Sequence, residues 1–435
     1  MKVVVRGVKN RSLSEITKKI EQGTSNVITV QDFIECIEDG EEIKFEDVDV
    51  ITTATKGLMS GILGVLSFRI TPPKKLRKFT EVSINGVPGF PGPCPNEYLG
   101  IIDLIIYGTA QSQTKKNYCG GSLFRELVEG KEVSVVAKSS EGEIIEEEMR
   151  LEDMQFAKLM GTRQSIKNYN AMINCESYKV NTIFSSLPFK PNKSEITFSG
   201  CGALNPFQND PEFESFGVGS PLLVNGSIGY LIGPGTRNYI EKPNMMTIAT
   251  FANMKPEYMG AFKTSYGLEP ICSIAVPIPI LNERILENII RSDKDVKLNI
   301  LSLVGREKVA QITYGDVWDK NYLMIFDSSA CKNCKECNVA ETCPTDAFIM
   351  KKGIITGIDR SRCFNCGTCS KLCPDAFKLD LKTIKFEGKD VPIVLRQSDR
   401  NGAILLSNDL KRMILNGDFP LRNPTGTLDF ADSVK

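Results

Sequence analysis

The sequence predicts two unlike parts in one chain: an α/β region, with α+β as the alternative, over residues 1–310, and a small α+β module over 327–382 that binds two 4Fe-4S clusters. Three observations predict this. The 435 residues exceed what one ordinary core supports, so two or three domains are expected. Strand-like apolar runs and helix-patterned segments are mixed along roughly the first 310 residues. Eight of the fourteen cysteines fall between Cys331 and Cys373, in two spaced sets. Residues 311–326 then form a linker, and 383–435 a hairpin and helix that extend the module.

Ser12 to Gln22 has helical spacing through Ile16 and Ile20, and the Ser12/Glu15 pair has the form of a capping box. Thr29 to Ile37 repeats the pattern, and Val48 to Thr53 is expected to be a buried strand. The next stretch, Thr52 to Gly61, is rich in hydroxyls and glycine. It is either a loop whose backbone amides hold an anion or an ordinary turn. Residues 84–97 make a stiff proline and glycine loop with Cys94 near its tip, and function often sits on such segments. A strand over Ile101–Tyr107 follows, then Cys119-Gly-Gly-Ser122 leading into a helix from Leu123 to Glu129. A thiol at a helix start lies near the positive end of the dipole, which lowers its pKa. Cys119 is therefore the leading candidate for a reactive thiolate, against the alternative of a small buried hydrophobe.

Glu132 to Leu151 alternates like an exposed hairpin, and the polar run Gly161 to Ala171, with Arg163 and Lys167, suits an anion. In Ser199-Gly-Cys201-Gly202 the flanking glycines are expected to leave Cys201 accessible. Gly217 to Gly235 forms a double strand, and residues 244–281 add strands in which Cys272 is buried. Cys36 belongs to helical core, and Cys175 has no assignable place. Asn282–Ile290 is expected as a helix, Lys297–Thr313 as strands and Tyr314–Asp319 as the joint into the module. Thr383–Leu395 is expected as a hairpin and Asn408–Asn416 as a helix closing at Gly417. The polar run Arg396 to Arg400 is a solvated turn or a surface that docks the module back onto the front region.

The two cysteine sets are Cys331-x2-Cys334-x2-Cys337-x5-Cys343-Pro344 and Cys363-x2-Cys366-x2-Cys369-x3-Cys373-Pro374. Three cysteines at two-residue intervals wrap three corners of a cube, and the remote fourth, before proline, ligates the other cube in two-cluster ferredoxins. The expected sets are therefore crossed: Cys331, Cys334, Cys337 and Cys373 on one cluster, Cys363, Cys366, Cys369 and Cys343 on the other. Zinc is the alternative, but it closes with four ligands and leaves the third cysteine of each triplet without use. The first set has five residues, Asn338 to Thr342, where three are usual, which predicts a local outward bulge.

Lys and Arg balance Asp and Glu at 53 each, which gives no long-range pull toward nucleic acid or a membrane surface. Clusters need reduced thiolates, so a reducing cytoplasm is expected. The apolar runs Gly61–Phe68 and Tyr98–Tyr107 are too short or too broken to span a bilayer. There is no histidine. Imidazole is thereby excluded as base, triad member or metal ligand, and acid–base work falls to Cys, Lys, Tyr, Asp, Glu or water.

Thr29-Val-Gln-Asp-Phe33, Val48 to Thr53, Gly86-Val-Pro-Gly89, Gly161-Thr-Arg163 with Asn168-Tyr-Asn170, Ser220 to Gly235, and Val276 to Glu283 resemble the archaeal homocysteine-biosynthesis family. The resemblance covers about residues 10 to 290. Characterised members are L-aspartate semialdehyde sulfurtransferases, in which the ferredoxin is typically a separate polypeptide. With the module fused, the chain resembles the methanogenesis marker 16 proteins, which implies a metalloprotein of methanogens. In the sulfurtransferases a cysteine implicated in sulfur handling follows the methionine of the Thr-Thr stretch, where this chain has Met59-Ser60.

The resemblance implies sulfur chemistry on a small anionic aldehyde. Turning an aldehyde into a thiol with sulfide consumes two electrons and two protons and releases water, a demand that two one-electron clusters match. Reductive thiolation of sulfoacetaldehyde to coenzyme M is favoured, with aspartate semialdehyde to homocysteine second. The implied roles are a persulfide or thiohemiacetal on Cys119 or Cys201, anion binding by Lys56, Ser60 and Arg163, and proton supply by Tyr169. A sulfide or persulfide donor and a low-potential electron-donor protein are the implied partners. Two other classes remain open: an electron relay, and a sulfur or cluster delivery factor for metalloenzyme assembly.

Overall fold

The computed structural model describes residues 9–92, 97–167, 169–289, 292–318 and 322–430; Cys94 and Asn168 lie outside the described residues. Ser12 and Glu15 exchange bonds between side chain and backbone, so the first helix runs Leu13–Glu21. Thr29 and Asp32 do the same for Val30–Glu38. Between them the strand Val27–Thr29 pairs in parallel with Val50 to Thr52.

Among the described residues the largest sheet has fourteen strands. Its spine is Val50–Leu58, which pairs antiparallel along its whole length with Leu268–Pro279. This overturns the anion loop expected over Thr52 to Gly61. The strand continues through Leu58, and its amides are spent on the sheet. Nearly every residue of that strand is buried, its threonines included, because the helix Arg400–Leu415 covers its other face. Thr52 Oγ1 donates to the Ser407 carbonyl at 3.0 Å, and Ser407 Oγ donates back to the Thr52 carbonyl at 2.7 Å.

A second sheet takes six strands in the order Lys308–Thr313, Lys297–Ser302, Ala171–Ile173, Ile196–Phe198, Lys389–Arg396, Thr383–Phe386. Helix and sheet are thus mixed, with large sheets. Among the described pairings the parallel ones are 27–29 with 50–52, 171–173 with 300–302, and 196–198 with 393–396. The remaining ladders are antiparallel, which is the pattern of the α+β alternative.

The C-terminal segment is built into the front region. Its hairpin completes the six-stranded sheet, and its helix begins at Arg400 rather than Asn408 because Asp399 caps it, accepting from the Gly402 amide at 3.1 Å. Of the two readings of Arg396 to Arg400, docking holds: all five residues are buried. Two cores result. One lies among the first two helices, the small sheet and the C-terminal helix, and the other lies under the far half of the large sheet.

Residues 324–379 form the small cysteine-bearing module, with paired strands Ile325–Phe326 and Phe377–Lys378, a hairpin of Phe348–Lys351 and Ile354–Ile358, and helices Asn338–Thr342 and Thr368–Leu372. The extra residues before Cys343 are wound into the first of these helices instead of bulging outward. Cys343 is buried as a result.

Candidate functional site

The end of the Val50–Leu58 strand, the end of Phe156–Gln164 and the strap Arg396 to Arg400 meet at a small, open cleft. Ser60, Arg163, Ser165, Tyr169, Glu269 and Gln397 are among its walls. Three residues expected at the site from sequence, Ser60, Arg163 and Tyr169, are therefore brought together. The floor is the loop Ser199-Gly200, clamped by the strap: Ser199 Oγ donates to Gln397 Oε1 at 2.7 Å, and the Gly200 amide donates to Ser398 Oγ at 2.6 Å. Gly200 has φ +106°, and a Cβ there would lie 2.0 Å from the Tyr314 hydroxyl. Glycine is required at that point.

The cleft is electropositive. Arg163 lines it with its Nε buried and unpartnered. Lys242 Nζ lies 5.5 Å from the centre of the Tyr169 ring, and the Arg306 guanidinium lies 4.5 Å over the Phe184 ring, both rings being cleft walls. Arg237 stands within electrostatic reach of Arg163 and Lys242. No ion pair joins any of these four cations to a carboxylate among the described residues. Burial and the neighbouring arginines pull the Lys242 ammonium down to about 8. Ser165 is 3% exposed, has no partner for its hydroxyl and adopts φ +51°, a strained conformation for serine. Unpaired buried donors beside unpaired cations make a site for an anion. Sequence reading found Arg163 and missed Arg237, Lys242 and Arg306, which reach the cleft from segments remote along the chain.

Glu269 is the one acid among these walls. Burial raises its pKa, and Ser60 Oγ donates to its carboxylate. Burial likewise raises Tyr169, keeping its phenol protonated as a donor. Position 60, which carries serine here, thus lies in the cleft wall beside an acid.

The remaining expectations need correction. Lys56 lies on the opposite face of its strand and is buried, its ammonium donating to Asp399 at 2.9 Å and to the Glu257 carbonyl at 2.7 Å. It anchors the strap and does not face the cleft. Cys119 does cap its helix, Gly120–Val128, but it is fully buried, and desolvation raises its pKa where the helix start alone would lower it. Cys201 is also fully buried rather than accessible, because the loop closes over it; its thiol is pushed up by burial. Even so it sits directly beneath the floor: Thr55, a cleft wall, donates its hydroxyl to Cys201 Sγ at 3.5 Å. Cys272 is buried as expected, with its pKa raised to about 12 by burial.

Among the described residues no two cysteines form a disulfide. Cys343, the last cysteine of the first set, stands within electrostatic reach of Cys363, Cys366 and Cys369, the triplet of the second. Burial, with the charge of Cys343, pushes Cys363 up to about 12 and Cys366 up to about 11. Cys331, Cys337 and Cys373 pack against the module core around Met324 and Phe377, and Cys334 is exposed. Among the described residues no three acidic, thiol or imidazole groups converge on one point as they do on a single ion. A cube binds each thiolate through a different iron, so its ligands surround a volume instead.

The module presents its second cysteine set to the sheets. Arg125 donates to the Ser361 carbonyl at 3.2 Å, Arg362 pairs with Glu129 at 2.9 Å and Lys371 with Glu195 at 2.7 Å. Phe364, between Cys363 and Cys366, packs edge-on against Phe262 at 5.3 Å. Leu58, a wall of the cleft, belongs to the same apolar cluster as Phe364 and Cys366. The second set is thus the one nearer the cleft.

A family model described as a homocysteine biosynthesis enzyme, sulfur-incorporation, matches residues 25–421. An uncharacterized protein of Methanothermobacter thermautotrophicus is 40% identical over 412 residues, 94% of each chain. L-aspartate semialdehyde sulfurtransferase of Methanosarcina acetivorans is 31% identical over 323 residues, 71% of this chain and 62% of its own. The formate dehydrogenase iron-sulfur subunit of Wolinella succinogenes is 32% identical over 71 residues, 16% of this chain and 34% of its own. No solved structure matches. Among the described residues no helix is long and apolar enough to cross a membrane.

Proposed function

The chain belongs to the homocysteine biosynthesis, sulfur-incorporation family, and we propose that it inserts sulfide reductively into a small anionic aldehyde bound in the cleft. The observation that carries this reading is the set of four unpaired cations around a cleft whose one acid is held toward its neutral form. Such a charge balance suits sulfoacetaldehyde, which is purely anionic. Aspartate semialdehyde brings an ammonium group that the cations repel, and it stands second.

In the reaction the C–S bond forms as the carbonyl C–O bond breaks. Aldehyde, hydrogen sulfide, two electrons and two protons become the thiol and water. Arg163 and Lys242 hold the sulfonate or carboxylate. Tyr169 donates to the carbonyl oxygen as charge develops on it, and Glu269 with Ser60 delivers the proton that lets water leave. Neither Cys119 nor Cys201 is poised as a thiolate, so free sulfide is the nucleophile. Cys331, Cys334, Cys337 and Cys373 would hold one 4Fe-4S cluster and Cys343, Cys363, Cys366 and Cys369 the other; bound there, they supply electrons one at a time. A low-potential donor protein meets the module on the side of the exposed Cys334.

A second reading, favoured by the contact between Thr55 and Cys201, has sulfane sulfur pass from a persulfide donor to the Cys201 thiol, the donor leaving as its own thiol, and two electrons beyond those of the main reaction then free it at the sulfide level. The test is competition: the anaerobic, iron-loaded protein receives sulfide, reductant and both aldehydes together, and the thiols are derivatised and identified by mass spectrometry. Coenzyme M in excess over homocysteine is expected. Homocysteine in excess would reverse the substrate order, and formation of neither thiol would move the protein to the relay or delivery class. Loss of turnover in folded C201A when a persulfide donor replaces sulfide would favour the persulfide.

A further inference from the structure

We propose that Arg396 is the counter-charge of the inner iron-sulfur site and sets its reduction potential above that of the outer one. This rests on the iron-sulfur reading of the module given above. Arg396 ends the strand Lys389–Arg396 and is 1% exposed. Its backbone amide donates to the Cys366 carbonyl at 2.9 Å, and its Nη2 donates to the Asn365 carbonyl at 2.8 Å, so it is fastened to the loop that carries Cys363 and Cys366. The guanidinium lies against two neighbouring aromatic rings, 4.4 Å from the centre of Trp318 and 4.8 Å from that of Tyr322.

What it lacks is an anion. Its Nε and Nη1 are buried without a partner, and no carboxylate pairs with it among the described residues. The acid nearest along the strap, Asp399, is committed to Lys56. Burial draws the guanidinium down to about 10, which leaves it charged at neutral pH. A buried cation with two idle donors is costly unless negative charge stands nearby. The negative charges within reach are that of Asp399, already paired with Lys56, and that of a Cys366 thiolate, and hence of a thiolate-bound cluster.

The consequence is directional. When such a cluster takes one electron from a low-potential donor, its negative charge grows by one unit, and Arg396 stabilises the reduced state without a proton moving. Beside the outer set stands the exposed Lys332–Asp375 pair, whose charges water screens. With clusters bound at both sets, the charge of Arg396 would favour an electron at the inner set, whose Cys366 shares an apolar cluster with the cleft wall Leu58. Gln397 and Ser398, the next residues of the strap, are themselves cleft walls.

The experiment is an EPR-monitored redox titration of the full-length, anaerobically reconstituted protein, with iron and sulfide counted per chain. Arg396→Met removes the charge at similar volume. Arg396→Gln keeps a donor for the Asn365 carbonyl and serves if the first variant does not fold. With iron content as in the wild type, one of two signals is expected to move to more negative potential. The reduced-to-oxidised ratio at fixed potential should fall about tenfold, or 59 mV for a one-electron couple. The other signal should stay in place. Unchanged midpoints, or an equal shift of both signals, would make Arg396 a structural plug and overturn the proposal. Failure of the wild-type protein to bind iron would instead remove the iron-sulfur reading itself.

Discussion

Arg163→Gln removes the cation that lines the cleft with an unsatisfied donor. A hydrogen bond to a charged group contributes about 1.5–3 kcal/mol. The bare Coulomb attraction at 4 Å is about 4 kcal/mol at an effective dielectric of 20, an upper figure for a side chain that is only part-buried and has three cationic neighbours. The lower range gives roughly 10- to 100-fold weaker binding of an anion. Calorimetric titration with ethanesulfonate, an unreactive sulfonate, measures this directly. Arg237→Gln should cost less, because Arg237 is exposed and screened. The fold itself should not suffer from the loss of Arg163. That side chain is desolvated and repelled by Arg237, both of which lower its pKa, so thermal stability should hold or rise. Unchanged affinity, or a large drop in melting temperature, would refute the assignment of Arg163 as an anion ligand.

Other outcomes follow from the same geometry. Lys242 titrates near 8 in the folded protein, against 10.5 ordinarily, so anion affinity should fall as pH rises from 7 to 9. Because the unfolded chain binds the extra proton between those two values, Lys242 should add stability as pH rises through that window, and Lys242→Arg should flatten both profiles. Lys56→Met leaves Asp399 buried without its cation and should cost about 3–5 kcal/mol, read by denaturant unfolding. Cys119→Ala should retain turnover, since its thiol is buried and held protonated; abolished turnover in folded protein would restore it to the chemistry. Gly200→Ala should lower stability markedly, and Tyr314→Phe in the same chain should relieve part of that loss.

Much of the local structure was legible because local chemistry decided it. The Ser12/Glu15 box, the hairpin over Glu132–Leu151 and the cysteine spacing are each settled within a few residues of chain. What was not legible depends on remote partners. The polar run Arg396 to Arg400 looks like surface, yet Asp293, Lys56, Ser199 and Trp318 stand ready to satisfy it. The threonines of Val50–Leu58 suggested a loop because the helix that covers them lies roughly 350 residues away along the chain. Cys201 was expected to be accessible from its flanking glycines, and Cys119, also followed by glycines, to be reactive from its place at a helix start. Those glycines instead allow close packing, Gly120 against the Tyr107 carbonyl and Gly202 against Asp293. Of the cleft, only Ser60, Arg163 and Tyr169 could be found, since the other cations gain meaning only through their common distance to the Tyr169 and Phe184 rings.

The most direct test of reductive sulfur insertion is the electron count. Iron-loaded protein is incubated anaerobically with sulfoacetaldehyde, sulfide as the sole sulfur source and a titrated one-electron reductant, and thiol formed is plotted against electrons consumed. Two electrons per thiol, with no product when the reductant is omitted, is the expected result. Thiol formed without electron consumption, or electrons consumed by reducible clusters with no thiol, would contradict reductive insertion at this cleft.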